Sequence, residues 1–393
     1  MPGAIRDLSR RYGYPPELEE VLQRIVDAAR EAYPELHGFI LSGSAATGDF
    51  VWRRTQEGVD LLSDIDALLF VEFGGARPET LVEELRALEA QQRSPLFQID
   101  VVVNPMSALG RIPKSFQMVE TRLCGVVLAG EDVLDAFPAE YDPRASRQAF
   151  LLNLWKPILF WMPRGTEHDF TYVQAAARFF LDLPLIELSE AGRCVPGHLE
   201  RAERFLAASG SSRFHSPSTE EAVSWAREAR LTPHARRSDL EGLIARFAFD
   251  VTAMIDGNGD PPRDPDLALV HRLAAWIPRR TPRRVGGELR SLLRAPRNPL
   301  GDLRWLVCRK EAVGAAALLG LLAYLSESDF EEPPSGIAAR LRELSRKPIP
   351  PSNGLEFIQD AKRAYWAGLC DLYPSARKKE SAYAPLLEAF PGR

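Results

Sequence analysis

The sequence predicts an α+β protein in which a small mixed-sheet domain is followed by an all-helical C-terminal region. Up to about residue 145, short apolar runs of strand length alternate with segments of helical periodicity. After that point only helical periodicity is found, and the turn-forming run at 256–265, rich in Asp, Gly and Pro, divides the helical part. The predicted domains are therefore residues 1–145, 146–256 and an arginine-rich helical region, 257–393.

Each element of the front domain has its own signal. Pro15-Pro16 begins a helix with apolar residues at three-to-four spacing, and Pro78 begins a second helix of the same kind. Three apolar runs have the length and composition of buried strands: residues 38–41, 64–73 and 96–103. This alternation of helices and strands predicts a small sheet with helices packed on it.

The middle of the chain shows helical periodicity only. Apolar residues at helical spacing predict three helices: Phe150–Trp161, Tyr172–Leu188 and His198–Ala208. A further helix is predicted from Ser218-Thr-Glu-Glu221, in which a hydroxyl N-cap is followed three residues later by a glutamate.

Composition limits the class of protein. Of the 393 residues, 45% are hydrophobic and 26% are charged, which is typical of a globular protein and excludes a disordered or fibrous chain. The longest mainly apolar run, 312–325, is shorter than a membrane span, and no signal segment opens the chain. Four scattered cysteines without a CxxC pair predict neither a disulfide framework nor a zinc site. We expect a cytoplasmic protein that does not bind a membrane.

Charge is distributed unevenly along the chain. The net charge is −5, but residues 1–145 carry 24 acidic and 14 basic side chains. Residues 271–310 instead contain ten arginines and Lys310 against two acids. An acidic front half suits a metal or a cationic ligand, whereas the basic segment suits RNA or is simply a solvated surface. Both interpretations of the basic segment stay open.

Three aspartates are the best candidates for chemistry. Asp64 and Asp66 are two residues apart in a predicted strand, so their side chains share one face, and Asp100 begins a neighbouring apolar strand. Three acids at one end of a sheet repel one another, and divalent cations would relieve that repulsion. The alternative is that Asp64 and Asp66 cap a strand and Asp100 pairs with an arginine.

A small-residue turn precedes these aspartates. Leu41-Ser-Gly-Ser-Ala45 follows a predicted strand, and a glycine at such a turn lets backbone N–H groups approach a phosphate. Ser44 would add a hydroxyl donor to the same phosphate. The turn alone is a weak signal, and its position before the Asp-x-Asp strand makes it informative.

The order of strand, Gly-Ser turn, Asp-x-Asp strand and later strand aspartate resembles the DNA polymerase β-type nucleotidyltransferase superfamily. The resemblance covers about residues 20–135, and Ser63-Asp-Ile-Asp66 is typical of its small-molecule and minimal branches. It implies that Gly43 and Ser44 hold nucleotide phosphates and that Asp64 and Asp66 bind two Mg²⁺ ions, with Mn²⁺ as a substitute. It also implies that Asp100 binds the metal beside the attacking hydroxyl.

The chain departs from this family between the turn and the aspartates. Nineteen residues separate Ser44 from Asp64, which is longer than usual in the family. The insert, residues 45–63, contains Trp52, Arg53 and Arg54. It is either a loop over the nucleotide, with both arginines on phosphate and Trp52 on the base, or a surface hairpin.

These observations lead to two classes of function. The first is a metal-dependent enzyme that moves a nucleoside monophosphate from an NTP to a hydroxyl. Its acceptor is then a small molecule resembling an aminoglycoside or a sugar, which we favour, or alternatively tRNA, another RNA or a protein side chain. The second is a non-catalytic module that binds a nucleotide or RNA. Retention of Asp64, Asp66 and Asp100 favours the enzyme, because a binding module has no need of three mutually repelling acids.

Overall fold

A computed structural model describes the front of the chain and part of its middle. The described residues are 2–72, 78–92, 94, 97–141, 169–208, 210, 214–232, 240, 243, 244, 247, 250 and 362. Several predictions fall outside them: the helix Phe150–Trp161, the turn-forming run at 256–265, the basic segment 271–310 and nearly all of the region 257–393.

The described elements follow the alternation that the sequence predicts for the front domain. In chain order they are α1 (Pro2–Tyr12), α2 (Pro16–Ala32), β1 (Leu36–Ser42), α3 (Gly43–Thr47), β2 (Trp52–Thr55), β3 (Gly58–Leu61), β4 (Ile65–Val71), α4 (Glu79–Ala90), β5 (Ile99–Pro105), a 3₁₀ turn (Met106–Arg111), α5 (Phe116–Cys124), β6 (Val126–Gly130), a second 3₁₀ turn (Leu134–Ala136), α6 (Asp169–Glu190), α7 (His198–Ala207) and α8 (Pro217–Leu231). Helix α1, which buries Ile5 and Leu8 against the core, is not predicted from the sequence pattern.

Four of the strands form one mixed sheet in the order β5-β4-β1-β6. Strands β4 and β5 are parallel, and β1 is antiparallel to both β4 and β6. The small mixed sheet predicted from the sequence is therefore confirmed. The parallel pair carries two of the three candidate aspartates, Asp66 on β4 and Asp100 on β5.

The two faces of the sheet differ in how they are packed. One face forms the main core with α1, α2 and α4, through residues such as Leu41, Leu69 and Val101. A smaller cluster of Ile40, Phe70 and Phe137 lies on the opposite face. Asp66 and Asp100 alternate with core residues along their strands, so both lie on that second face and are half-buried.

The insert between Ser44 and Asp64 folds into α3 and a two-stranded hairpin, β2-β3. Its base is closed by Ser63, whose hydroxyl accepts a hydrogen bond from the Val51 N–H at 3.0 Å. The Leu62 N–H donates to the Val51 carbonyl at 2.9 Å. The insert therefore folds as a hairpin, and the hydroxyl of Ser63, in the Ser-Asp-Ile-Asp motif, holds its base; contact of this hairpin with a nucleotide stays a prediction.

Helices α6, α7 and α8 agree with the helices predicted from the sequence, except for the N-cap residue of α8. Helices α6 and α7 coincide with two predicted segments. Helix α8 begins at Pro217, and its cap is Ser216, not the predicted Ser218. The Ser216 hydroxyl accepts from the Thr219 N–H at 3.2 Å, and the Thr219 hydroxyl accepts from the Ser216 N–H at 2.9 Å. Threonine thus takes the place of the usual glutamate in this capping box, so the Ser/Thr-x-x-Glu pattern does not mark this helix start.

The chain divides into two compact units. The first contains the sheet and comprises Met1–Arg147, Phe180–Ser209 and Val223–Ala235, so α7 belongs to the same unit as the aspartates. The second comprises Gln148–Phe179, Gly210–Ala222 and Arg236–Arg393. Within the described residues no helix is long and apolar enough to cross a membrane.

Candidate active site

Asp66 and Asp100 are direct neighbours across the parallel strands. Asp66 of β4 pairs in register with Asp100 of β5, and Ser42 of β1 pairs with Asp66 on its other side. Residues paired in this way have side chains on the same face of the sheet. Ser42, Asp66 and Asp100 therefore form one row across three strands, as the sequence analysis expected for the two aspartates.

Asp64 stands immediately before β4, beside the base of the hairpin. The next residue, Ile65, donates its N–H to the Gln98 carbonyl at 2.8 Å, which holds this part of the chain next to the start of β5. Asp64, Asp66 and Asp100 are all half-buried, so all three are partly accessible to solvent. The three predicted aspartates thus come from neighbouring strand ends of one sheet.

Gly43 brings the Gly-Ser turn against the carboxylate of Asp66. Its φ is +65°, a conformation that residues with a Cβ adopt only at a cost. A Cβ at this position would lie 2.6 Å from Asp66 Oδ2. Only glycine permits this approach, so the turn and the Asp-x-Asp strand form one site.

Ser44 contributes a buried hydroxyl to this turn. Its Oγ is buried and has no hydrogen-bond partner in the structure. A buried hydroxyl without a partner costs about 1–3 kcal/mol, so its position favours a ligand that accepts from it. A phosphate oxygen is such an acceptor, which agrees with the role that the family resemblance implies for Ser44.

Tyr14 fixes the backbone of this turn, a role the sequence analysis did not assign. Its hydroxyl donates to the Ala45 carbonyl at 3.0 Å and to the Ser44 carbonyl at 3.3 Å. Burial raises the pKa of Tyr14 well above its usual range, so the hydroxyl stays protonated and able to donate. The only sequence signal was an aromatic residue just before a predicted helix, which is too common to indicate such a role.

The predicted arginines of the insert lie on the hairpin and differ in their surroundings. Arg53 Nε donates to Asp60 Oδ2 at 3.0 Å across the two strands. Arg54 is exposed, and Trp52 packs partly against the main core. The contact of Arg53 and Arg54 with a phosphate, and of Trp52 with a base, stays a prediction.

The donor chemistry of the site fits a magnesium–nucleotide complex. Among the described residues, no three His, Cys, Asp or Glu side chains are gathered into a group ready to hold a metal. Mg²⁺ does not require such a cage, because it is usually held by one or two carboxylates together with substrate phosphates and water. Asp66 and Asp100 are adjacent and would supply the carboxylate ligands. The Gly-Ser turn at Gly43, which lies against Asp66, would hold the phosphates that supply further ligands.

Comparisons with known proteins give a distant similarity to solved structures only. No family model matches the chain, and no curated protein matches its sequence. Among solved structures, the chain is similar to spectinomycin adenyltransferase AAD(9) from Enterococcus faecialis, crystallised with ATP and spectinomycin. The identity is 14%, the match covers 60% of this chain and 98% of that chain, and the TM-score is 0.38. At this level the likeness carries no argument about the site.

Removing the Ser44 hydroxyl should separate stability from nucleotide binding. We expect Ser44→Ala to unfold at the same temperature or higher, because the buried oxygen has no partner to lose. We expect the Kd for an NTP with Mg²⁺ to rise by about tenfold, the effect of losing one hydrogen bond to a charged group. Thermal denaturation and calorimetric titration measure the two quantities. A stability loss with unchanged nucleotide affinity would show that the hydroxyl is structural.

Proposed function

We propose that this protein is a metal-dependent nucleotidyltransferase that moves a nucleoside monophosphate from an NTP to a hydroxyl of a small-molecule acceptor. One observation carries the proposal: Gly43 places the Gly-Ser turn directly against Asp66, which is itself paired in register with Asp100. A phosphate-binding turn and two adjacent carboxylates are the parts that transfer from a triphosphate requires.

Each residue has a defined part in this proposal. The backbone N–H groups after Gly43 and the Ser44 hydroxyl donate to the β- and γ-phosphates. Asp64 and Asp66 hold Mg²⁺, which when bound neutralises charge on the phosphates. Asp100 receives the proton of the acceptor hydroxyl as its oxygen bonds to the α-phosphorus, and pyrophosphate leaves. Arg54 is the better candidate of the two hairpin arginines for a phosphate contact, because Arg53 is paired with Asp60.

The distribution of charge along the chain favours one class of acceptor over the other. The acidic front half suits a cationic small molecule such as an aminoglycoside, and a sugar hydroxyl would be accepted by the same chemistry. The arginine-rich segment 271–310 supports the alternative acceptor, tRNA or another RNA. The overall pI of about 5.8 favours the small molecule.

A broad transfer assay tests the proposal. The protein is incubated with Mg²⁺, each of the four NTPs and pools of aminoglycosides, sugars and total tRNA, and products are identified by mass spectrometry. We expect an acceptor in the small-molecule pools to gain the mass of one nucleoside monophosphate less one water. We expect no such product when EDTA is present. Product confined to the tRNA pool would select the RNA alternative. Nucleotide binding without product in any pool would favour the non-catalytic module.

A further inference from the structure

The start of helix α7 contacts Asp49 of the front domain, a residue about 150 positions earlier in the chain. The N–H groups of His198 and Leu199 both donate to the carboxylate of Asp49. The Gly197 N–H donates to Glu120 Oε1 at 2.8 Å. Gly197, the N-cap residue, has no side chain to offer, so these two distant carboxylates satisfy the first amides of the helix.

The same Asp49 is bound to the Gly-Ser turn. Its own N–H donates to the Ser44 carbonyl at 3.0 Å, and the Thr47 hydroxyl donates to its Oδ2 at 3.2 Å. Arg230 of α8 donates to the Asp49 carbonyl at 2.7 Å. Asp49 therefore connects the Ser44 turn on one side with the start of α7 on the other.

The α7 side of this connection is tightly packed. Gly197 has a φ of +78°, and a Cβ on it would lie 2.9 Å from Asp49 Oδ2. Arg201, 2% exposed, pairs with Glu120 at 2.7 Å one turn into the helix. Because the start of α7 is packed closely against Asp49, a displacement of this helix would also displace the Asp49 side chain.

We propose that Asp49 is a positioning residue that couples the N-terminus of α7 to the phosphate-binding turn at Ser44. This inference rests on the proposed function, because it assigns α7 a part in nucleotide binding. The ionisation of Asp49 supports it: burial raises the pKa of Asp49, against the opposing influence of Arg230 and the His198 N–H.

Two variants test the connection from its two ends. Asp49→Ala removes the carboxylate, and Gly197→Ala forces a methyl group against it while leaving Asp49 itself unchanged. Gly192→Ala is the matched control, because Gly192 has a similar φ of +68° but no atom within 4 Å of its would-be Cβ. Both glycine variants place an alanine at positive φ, but only Gly197→Ala adds a contact with Asp49. Because Gly197 has a ψ of 144°, its alanine variant also carries more backbone strain, and Asp49→Ala, which leaves the backbone at residue 197 unchanged, separates that strain from the contact. Asp49→Asn, which keeps one oxygen to accept from α7, is the conservative rescue.

We expect the variants that disturb the contact between Asp49 and α7 to have a lower affinity for the nucleotide. In Asp49→Ala and Gly197→Ala, the KM for the NTP should rise about fivefold, the effect of losing one helix cap, with kcat nearly unchanged. Gly192→Ala should behave as wild type, and Asp49→Asn should recover most of the loss. If Gly197→Ala and Gly192→Ala share the same kinetic constants, the coupling is absent and the proposal is overturned.

Hydrogen exchange gives a second readout that needs no activity. We expect the amides of residues 44–49 to exchange faster in both Asp49→Ala and Gly197→Ala, but not in Gly192→Ala. If the wild-type protein transfers no nucleotide, the proposed function fails, yet faster exchange at 44–49 in Gly197→Ala still supports the coupling. Unchanged exchange at the turn in that variant would overturn the coupling, whatever the activity.

Discussion

Replacing Asp66 with asparagine should reduce nucleotidyl transfer by about a thousandfold or more while leaving the protein folded. Asp66 lies between Asp100 on β5 and Gly43 of the turn, so it is the carboxylate that joins the two halves of the site. Metal-assisted charge stabilisation contributes several kcal/mol, and each 1.4 kcal/mol is a factor of ten in rate. The change in kcat of purified Asp66→Asn, with Mg²⁺ and a true acceptor, measures the effect.

The matched control for this variant is Asp27→Asn. It also removes one aspartate charge, but Asp27 is exposed on α2, a helix that packs on the other face of the sheet. We expect its activity to equal that of wild type. The melting temperature of Asp66→Asn should be unchanged or higher, because repulsion from the neighbouring aspartate is relieved. Full turnover by Asp66→Asn would contradict the proposed site.

Asp100→Asn should also abolish turnover, but through a different step. Asp100, on β5, is the aspartate that the family resemblance places beside the attacking hydroxyl, so we assign it to the acceptor and not to the triphosphate. Loss of a general base lowers kcat by about a hundredfold to ten-thousandfold. The Kd for a non-hydrolysable NTP with Mg²⁺ should change little, as calorimetry would measure.

The comparison of affinity between the two aspartate variants decides their roles. Asp66→Asn should weaken NTP–Mg²⁺ binding, and Asp100→Asn should retain it. An affinity loss of about tenfold or more in Asp100→Asn would place that carboxylate with the triphosphate, contrary to the role assigned here.

The sequence predicts the parts of this fold that depend on local patterns. Apolar periodicity locates α2, α4, α6 and α7, and strand-length apolar runs locate β1, β4 and β5. The period of two residues in a strand predicts one shared face for Asp64 and Asp66, whereas the pairing of Asp66 with Asp100 depends on the register between two strands, which only the structure shows. The local patterns need only short-range information, which is why they could be read before the structure was known.

The rest of the site depends on contacts between residues far apart in the chain. Tyr14 reaches the Ser44 and Ala45 carbonyls across about 30 positions, and Asp49 meets the start of α7 across 149. Neither Tyr14 nor Asp49 belongs to a recognisable motif. Ser63 looked like part of the catalytic signature, whereas its hydroxyl holds the hairpin base at Val51. Such roles follow from packing, which no local pattern specifies.

The position of a radioactive label tests the central claim most directly. The protein is incubated with its acceptor, Mg²⁺ and an NTP labelled either at the α- or at the γ-phosphorus. Transfer of a nucleoside monophosphate predicts that the α label appears on the acceptor and the γ label in pyrophosphate, with no transfer in EDTA. Appearance of the γ label on the acceptor would show phosphoryl transfer instead and would contradict the function proposed for Asp64, Asp66 and Asp100.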